Sequence, residues 1–293
     1  KDLVVEAGIA AIKNAALEEK PQALYLGSMS SGRFVGQEHT AAVAADYLGL
    51  KIPAVRCEGA CASGSLAFRN AYHAVALGEY DITLVLGVEK MSDLKTGDAV
   101  STLALAGDQE WEAACGLTFA GLYAIMCRAH MHKYGTTREQ LAMVSATNHK
   151  NAVGNKYAQF PFEVSVEDVI NSTMIADPLT LLDCSPITDG CAAVVIASEN
   201  IAKKMNNPVW VLGSGQGADT IALHDRKSFT EVNAAKIAGE NAMKKANITQ
   251  KNVDVLEVHD CFSINEIMSL EALGFCEKGK GGRFVEDGNI KNN

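Results

Sequence analysis

Between Ile52 and Val88 the chain runs through an apolar stretch, a tight turn of small residues, an amphipathic stretch and a second apolar stretch. The first, Ile52-Pro53-Ala54-Val55-Arg56-Cys57, reads as a short buried strand. It enters Glu58-Gly59-Ala60-Cys61-Ala62-Ser63-Gly64-Ser65. A helix is expected from about Ser63 to Leu77, because Leu66, Ala67, Tyr72, Val75 and Ala76 recur near the helical period. After Gly78 the run Ile82-Thr83-Leu84-Val85-Leu86-Gly87-Val88 reads as a second strand. Strand, turn, helix and strand make a βαβ unit, whose crossover requires the two strands to be parallel. The expected fold class is therefore α/β.

This unit puts Cys61 at a helix N-terminus. Unpaired N–H groups and the positive dipole end there favour a thiolate, so the thiol is expected to ionise below its usual range. Ala60, Ala62 and Gly64 leave room for a substrate, in the manner of the nucleophile elbow of serine hydrolases. The local pattern suits equally a small buried cysteine with no chemistry.

The chain opens on a helical stripe of Val5, Ile9, Ile12 and Ala16, followed by an expected strand from Ala23 to Ser28. A polar loop then leads through His39, read as a helix-start residue with a local hydrogen bond, into a helix from Ala41 to Tyr47. A shift of 231 positions lays Ala7-Gly8, Ala11, Lys13 and Ala15 on Ala238-Gly239, Ala242, Lys244 and Ala246. The same shift lays Leu24 and Tyr25 on Val255 and Leu256, and Ser28 on His259. Two related helix–strand halves separated by an insertion are expected.

Helices are expected from Tyr123 to Tyr134 and from Leu141 to Lys150, the second opened by a capping box at Thr137-Arg138-Glu139-Gln140. His130 and His132 point apart on a helix and read as charged surface positions rather than a metal pair. Asp189-Gly190 reads as a turn ahead of a strand at Ala192–Ala197. Val209-Trp210-Val211-Leu212-Gly213-Ser214-Gly215-Gln216-Gly217 reads as a strand entering a Gly-rich loop without dinucleotide-binding spacing. Thr220 to Phe229 reads as a solvated loop. Val253–Val258 reads as the second-half strand, ending in His259-Asp260-Cys261-Phe262 and a helix from Ile264 to Leu273. A strand's C-terminal end is where ligands meet reacting groups in parallel sheets, although a lone histidine there is more often structural.

Glu58-Gly59-Ala60-Cys61-Ala62-Ser63-Gly64, with Gly78-Glu79-Tyr80-Asp81 and Gly87-Val88-Glu89-Lys90-Met91-Ser92, resembles the nucleophile region of the thiolases, above all their archaeal and sterol-carrier-protein types. By this resemblance Cys61 becomes an acyl thioester. His259-Asp260-Cys261-Phe262 resembles the variant of the thiolase Asn-Glu-Ala-Phe motif in those types, so His259 polarises the thioester oxygen and Asp260 orients it. Asp177-Pro178-Leu179 and Asp183-Cys184-Ser185-Pro186 resemble the segments that floor the acyl pocket, and Gly213 and Ser214 fall beside the coenzyme A tail.

The resemblance implies a duplicated five-layer α/β/α/β/α fold: a first half over 1–91, an inserted loop domain over 92–208 and the start of a second half over 209–293. It implies interconversion of acetoacetyl-CoA plus CoA with two acetyl-CoA, the CoA thioester being substrate and no cofactor being needed. It further implies a homodimer or homotetramer, with hydroxymethylglutaryl-CoA synthase and a small OB-fold protein as partners. The family's Gly-His-Pro histidine and second, C-terminal cysteine match no residue here, which implies a natural chain longer than this one. A non-catalytic acyl-CoA-binding or scaffold subunit is the alternative. Ketoacyl synthases and hydroxymethylglutaryl-CoA synthases share the fold and the cysteine, but not the Cys-Ala-Ser-Gly and His-Asp-Cys-Phe words.

The rest of the composition narrows the partners. A net charge of −9 argues against nucleic acid. No apolar run reaches membrane-spanning length. The eight cysteines include no CxxC pair and no zinc spacing, so a reduced, cytoplasmic protein with no metal is expected.

Overall fold

The computed structural model describes residues 1–290. Helix α1 (Asp2–Ala15), strand β1 (Ala23–Gly27), the short α2 (Ser31–Phe34) and α3 (Thr40–Tyr47) lead into the expected unit of β2 (Ala54–Cys57), α4 (Ser63–Ala76) and β3 (Ile82–Lys90). Helices α5 (Thr96–Ala104), α6 (Phe119–Tyr134), α7 (Arg138–Ala152) and α8 (Val166–Asn171) come next. A small pair, β4 (Met174–Ala176) and β5 (Leu179–Thr180), precedes the long strand β6 (Asp189–Ala197) and α9 (Glu199–Ala202). The chain ends through α10 (Asn233–Ala246), α11 (Ser263–Ala272) and α12 (Gly281–Glu286).

Packing divides these elements into two units, one of Lys1–Thr102 with Ile187–Trp210, the other of Leu103–Pro186 with the chain from Val211 onward. The first is built on a four-stranded sheet in the order β2-β1-β3-β6. β1 runs parallel to both β2 and β3, as the βαβ unit requires, and β6 closes the sheet antiparallel to β3. Side chains alternate along a strand. Leu24, Leu26, Leu84 and Leu86 accordingly point to the face that packs with Val4 of α1 and Ala41, Ala44 and Ala45 of α3. Tyr25 and Val85 point to the other face, against Ala67, Ala71 and Val75 of α4. Each of those four leucines is at most 1% exposed, worth about 2 kcal/mol of burial apiece.

Asp189-Gly190 is not a turn. It is already paired in β6, and the Asp189 carboxylate accepts from Met91 N–H (2.8 Å), Ser92 N–H (2.9 Å) and Ser92 Oγ (2.6 Å). The strand therefore begins three residues early because a carboxylate takes up the backbone donors just beyond β3.

The second unit packs α6, α7 and α11 around Cys127, Leu141, Val144, Leu179, Ile264, Ile267 and Met268. The expected capping box opens α7, with Thr137 Oγ1 accepting from Gln140 N–H and the Gln140 side chain accepting from Thr137 N–H. The buried Asp183 carboxylate accepts from Arg138 Nη1 (2.8 Å), Thr180 N–H (2.9 Å) and Ser263 Oγ (2.8 Å), so its burial is compensated.

His130 corrects the surface reading. It is 0% exposed, with Nδ1 on Thr136 Oγ1 (2.8 Å) and Nε2 on the Glu271 carboxylate. Of the two, His132 alone is exposed. The supposed solvated loop at 220–229 is also anchored, by the buried Ala222 and Leu223 and by His224 donating to Glu112 from its backbone N–H and bonding it through Nδ1, each at 3.0 Å.

Two expected strands are not formed. Residues 209–217 and 253–258 pair in no sheet among the described residues, and Val209 and Val255 are 96% and 77% exposed. Short apolar runs mark both segments for strands, but a strand also needs a neighbour to take its N–H and C=O groups.

Candidate active site

The turn that carries Cys61 is built by three glycines. Gly27, the last residue of β1, is the register partner of Gly87 within β3, and α4 begins directly against them. A Cβ on Gly27 would stand 2.5 Å from the Ser63 carbonyl oxygen and from the Gly64 nitrogen. Gly87 faces the Cα of Gly64. The helix start can therefore sit against the two central strands only where side chains are absent.

Side chains of the turn then lock it. Ser63 Oγ donates to the Ala60 carbonyl (2.7 Å) and accepts from Gly59 N–H (3.0 Å), while Ala60 N–H donates to Glu58 Oε1 (2.7 Å). Ala60 is held at φ +49°, a left-handed conformation costing a non-glycine residue about 1–2 kcal/mol. Cys61 lies in the short 3-10 turn Ala60–Ala62 immediately before α4, and its residue surface is exposed.

The thiol does not follow the helix-dipole expectation. Desolvation pushes it above the ordinary cysteine range, and a hydrogen bond from its own backbone only partly opposes this. Cys61 thus rests as a thiol and must lose its proton on attack.

The neighbouring loop after β1 is held by two charges. Glu89 accepts from Ser28 Oγ (3.1 Å) and Met29 N–H (2.6 Å). Arg56 donates to the carbonyls of Ser28 (3.2 Å) and Met29 (2.7 Å) and pairs with Glu38 (3.0 Å). His39 precedes α3 as expected, but at φ +56° and with no capping bond from its side chain.

His259 stands in the second unit, on the turn entering α11. Its carbonyl accepts from Asn265 Nδ2 in the first turn of that helix. Asp260 Oδ2 accepts from Asn148 Nδ2 (2.8 Å), and the same amide donates to Glu266 Oε2 (2.7 Å). Ser185 N–H donates to the Cys261 carbonyl (2.9 Å), Cys184 bridges to Phe262, and Phe262 stacks on Tyr123 at 4.7 Å. The words Asp183-Cys184-Ser185-Pro186 and His259-Asp260-Cys261-Phe262, far apart in sequence, are thus brought side by side. Desolvation holds the His259 imidazole below its usual value against the pull of Asp260, so at neutral pH it is an uncharged ring with an N–H to donate.

Asn148 and Glu266 were not singled out from the sequence. Glu266 carried a signal, a carboxylate on the same helix as the buried Ile264, Ile267 and Met268. Burial, with Asp260 and Glu257 nearby, pushes its carboxyl up to about 7, although Asn148 pulls the other way.

Gly213 lies against α10, where a Cβ would stand 2.3 Å from the Ala242 carbonyl oxygen. Gly215 and Gly217 meet the carbonyls of Ala238 and Ala234 in the same way. Glycines two apart on extended chain are about 6.6 Å apart and alanines four apart on a helix about 6 Å, so the two rows match. The Ser214 carbonyl accepts from Lys245 Nζ at 3.0 Å.

The family profile described as "Thiolase, N-terminal domain" matches residues 1–200, and "Thiolase C-terminal domain-like" matches 215–293. The "Acetyl-CoA acetyltransferase" of Methanothermobacter thermautotrophicus is 53% identical over 98% of this chain and 76% of its own. Among solved structures, "Ltp2-ChsH2(DUF35) aldolase" superposes with a TM-score of 0.83 at 26% identity, over 99% of this chain and 75% of the other. The "Acetyl-CoA acetyltransferase" of Syntrophomonas wolfei superposes at 0.72 with 20% identity, over 100% and 78%, a likeness of fold.

Proposed function

This chain belongs to the thiolase family, and from that premise we propose that it is an acetyl-CoA C-acyltransferase interconverting acetoacetyl-CoA plus CoA with two acetyl-CoA. The observation that carries the reading is the locked turn presenting Cys61 at the start of α4, in a chain 53% identical to an archaeal acetyl-CoA acetyltransferase.

In thiolysis the Cys61 sulfur attacks the ketone carbonyl of acetoacetyl-CoA and its proton passes to a base. The carbon–carbon bond breaks, the departing enolate is protonated to acetyl-CoA, and an acetyl thioester remains on Cys61. CoA thiol then attacks that thioester, forming the second acetyl-CoA and restoring the cysteine. A covalent intermediate divides one hard step into two easier ones. The neutral His259 ring donates its N–H to the thioester oxygen as negative charge builds there, a role for which the depressed imidazole is suited. Because the Cys61 thiol is raised, the base must act in the attack rather than before it.

The same reading places Gly213 and Ser214 beside the coenzyme A tail and treats the thioester as substrate with no further cofactor. It keeps the three-part descent of 1–91, 92–208 and 209–293, supported by the matching helices α1 and α10. It also includes a homodimer or homotetramer in the cytoplasm. Among the described residues no helix is long and apolar enough to cross a membrane. Partners are hydroxymethylglutaryl-CoA synthase and a small OB-fold protein. Support for an accessory chain comes from the aldolase structure, whose name couples Ltp2 to a DUF35 protein.

The test is steady-state thiolysis of acetoacetyl-CoA by the wild-type protein and Cys61→Ser. The reading expects CoA-dependent turnover in the first and loss of at least 100-fold (~10²) in the second. CoA binding without turnover in either would point to the scaffold subunit.

A further inference from the structure

We infer that Asn148 is a positioning residue for His259: its side-chain amide ties the turn that carries the imidazole to α7. This rests on the reading that His259 receives the thioester oxygen.

Four consecutive residues, 259–262, each have an anchor. The His259 carbonyl is held by Asn265, the Cys261 carbonyl by Ser185, and Phe262 by Cys184 and the Tyr123 ring. Those anchors hold main chain or an apolar ring. The Asp260 side chain is held by Asn148, which lies 112 residues earlier in the sequence. Both hydrogens of the one amide nitrogen are used, at 2.8 Å to Asp260 and 2.7 Å to Glu266. These acceptors lie on either side of the junction between the turn and α11, so a single planar group fixes the turn to the helix beyond it.

The choice of an amide has a physical reason. Leu141, Val144 and Ser145 form the buried face of α7, and position 148 continues that face one turn further on. Packing alone would place an apolar residue there. Two carboxyl groups end at that place, with Glu257 also near, and a neutral donor with two hydrogens satisfies both without adding charge beside the imidazole. Glu266 is 6% exposed, so loss of the amide would strand a buried carboxyl and release the Asp260 turn together.

The experiment compares wild type, Asn148→Ala and the near-isosteric Asn148→Asp, which keeps the shape but has no N–H to give. Two readouts are taken: kcat and KM for acetoacetyl-CoA, and the NMR titration of the His259 ring, assigned with His259→Asn. Both variants are expected to lose about tenfold or more in kcat with KM little changed. In each, the midpoint and shifts of the His259 resonance should also move. A His259 titration identical to wild type in both variants overturns the inference, whether or not the protein turns over. Absence of turnover in the wild type counts against the functional reading alone, because the ring titration still decides what Asn148 does.

Discussion

Helix α1 and helix α10 are the same element used twice. They are 14 residues each, their bounds differ by the 231 positions of the sequence repeat, and both end on a left-handed residue, Ala16 at φ +49° and Asn247 at φ +55°. The segments after them differ. Leu24 on β1 is 0% exposed between two parallel neighbours, whereas its counterpart Val255 is 77% exposed and pairs with no strand among the described residues. A helix satisfies its own backbone and carries its end signals locally, so it survives duplication intact. A strand exists only through its neighbours, so the same pattern gives a buried strand in one place and unpaired extended chain in the other. The helices are held differently too. α1 buries Val4 and Gly8 against the sheet unit, while α10 buries no residue and lies on the row Gly213, Gly215 and Gly217.

The contrast is most open to attack at the sheet. Gly27→Val would drive a branched side chain into the start of α4, and a loss of about 4 kcal/mol is expected in denaturant unfolding, with Cys61 acylation lost as well.

A second difference is chemical. The second unit holds a buried acid, Glu266, whose carboxyl is raised to about 7 in the folded state from about 4.3 unfolded. Between those values the folded protein keeps a proton that the unfolded chain has released. Stability from this group is therefore present at the acid end, falls as pH rises through the window and is level above it. The loss is up to about 4 kcal/mol. Urea midpoints measured against pH should show that fall in wild type and a flatter curve in Glu266→Gln.

A methyl at Gly215 would meet the Ala238 carbonyl at 1.8 Å, but α10 has no buried side chain to hold it in place and can shift. Gly215→Ala should cost about 2 kcal/mol and speed hydrogen exchange in 233–246, while 2–15 stays protected. The smallest effect lies at the two helix ends. Ala16→Gly should stabilise by about 1 kcal/mol, since alanine is strained at positive φ, and Asn247→Gly by only a few tenths, about 0.3 kcal/mol, since asparagine tolerates it. Equal gains at both sites, read as thermal midpoints, would contradict the view that the two caps differ in strain.

Much of this was legible in residue order. The βαβ unit and the Thr137–Gln140 capping box are local patterns with their counterparts in the structure, and of the repeat the helix is matched but not the strand. The failures have physical causes. Residues 253–258 carry the apolar content of a strand, but composition says nothing of a partner. The helix-dipole argument for Cys61 left out desolvation, which raises the thiol and depends on what packs around the turn. His130 looked like a surface residue because Thr136 and Glu271, which offset the cost of its burial, lie 6 and 141 residues away. Asn148 carried no signal at all: its significance is set by two acids more than a hundred residues further along the chain.

The central claim is that the turn before α4 presents Cys61 as a nucleophile toward CoA thioesters. Intact mass before and after incubation with acetyl-CoA tests it most directly. The account predicts one added acetyl group, removed by free CoA and missing in Cys61→Ala. No adduct on the wild-type protein, or an adduct that persists in Cys61→Ala, would contradict it.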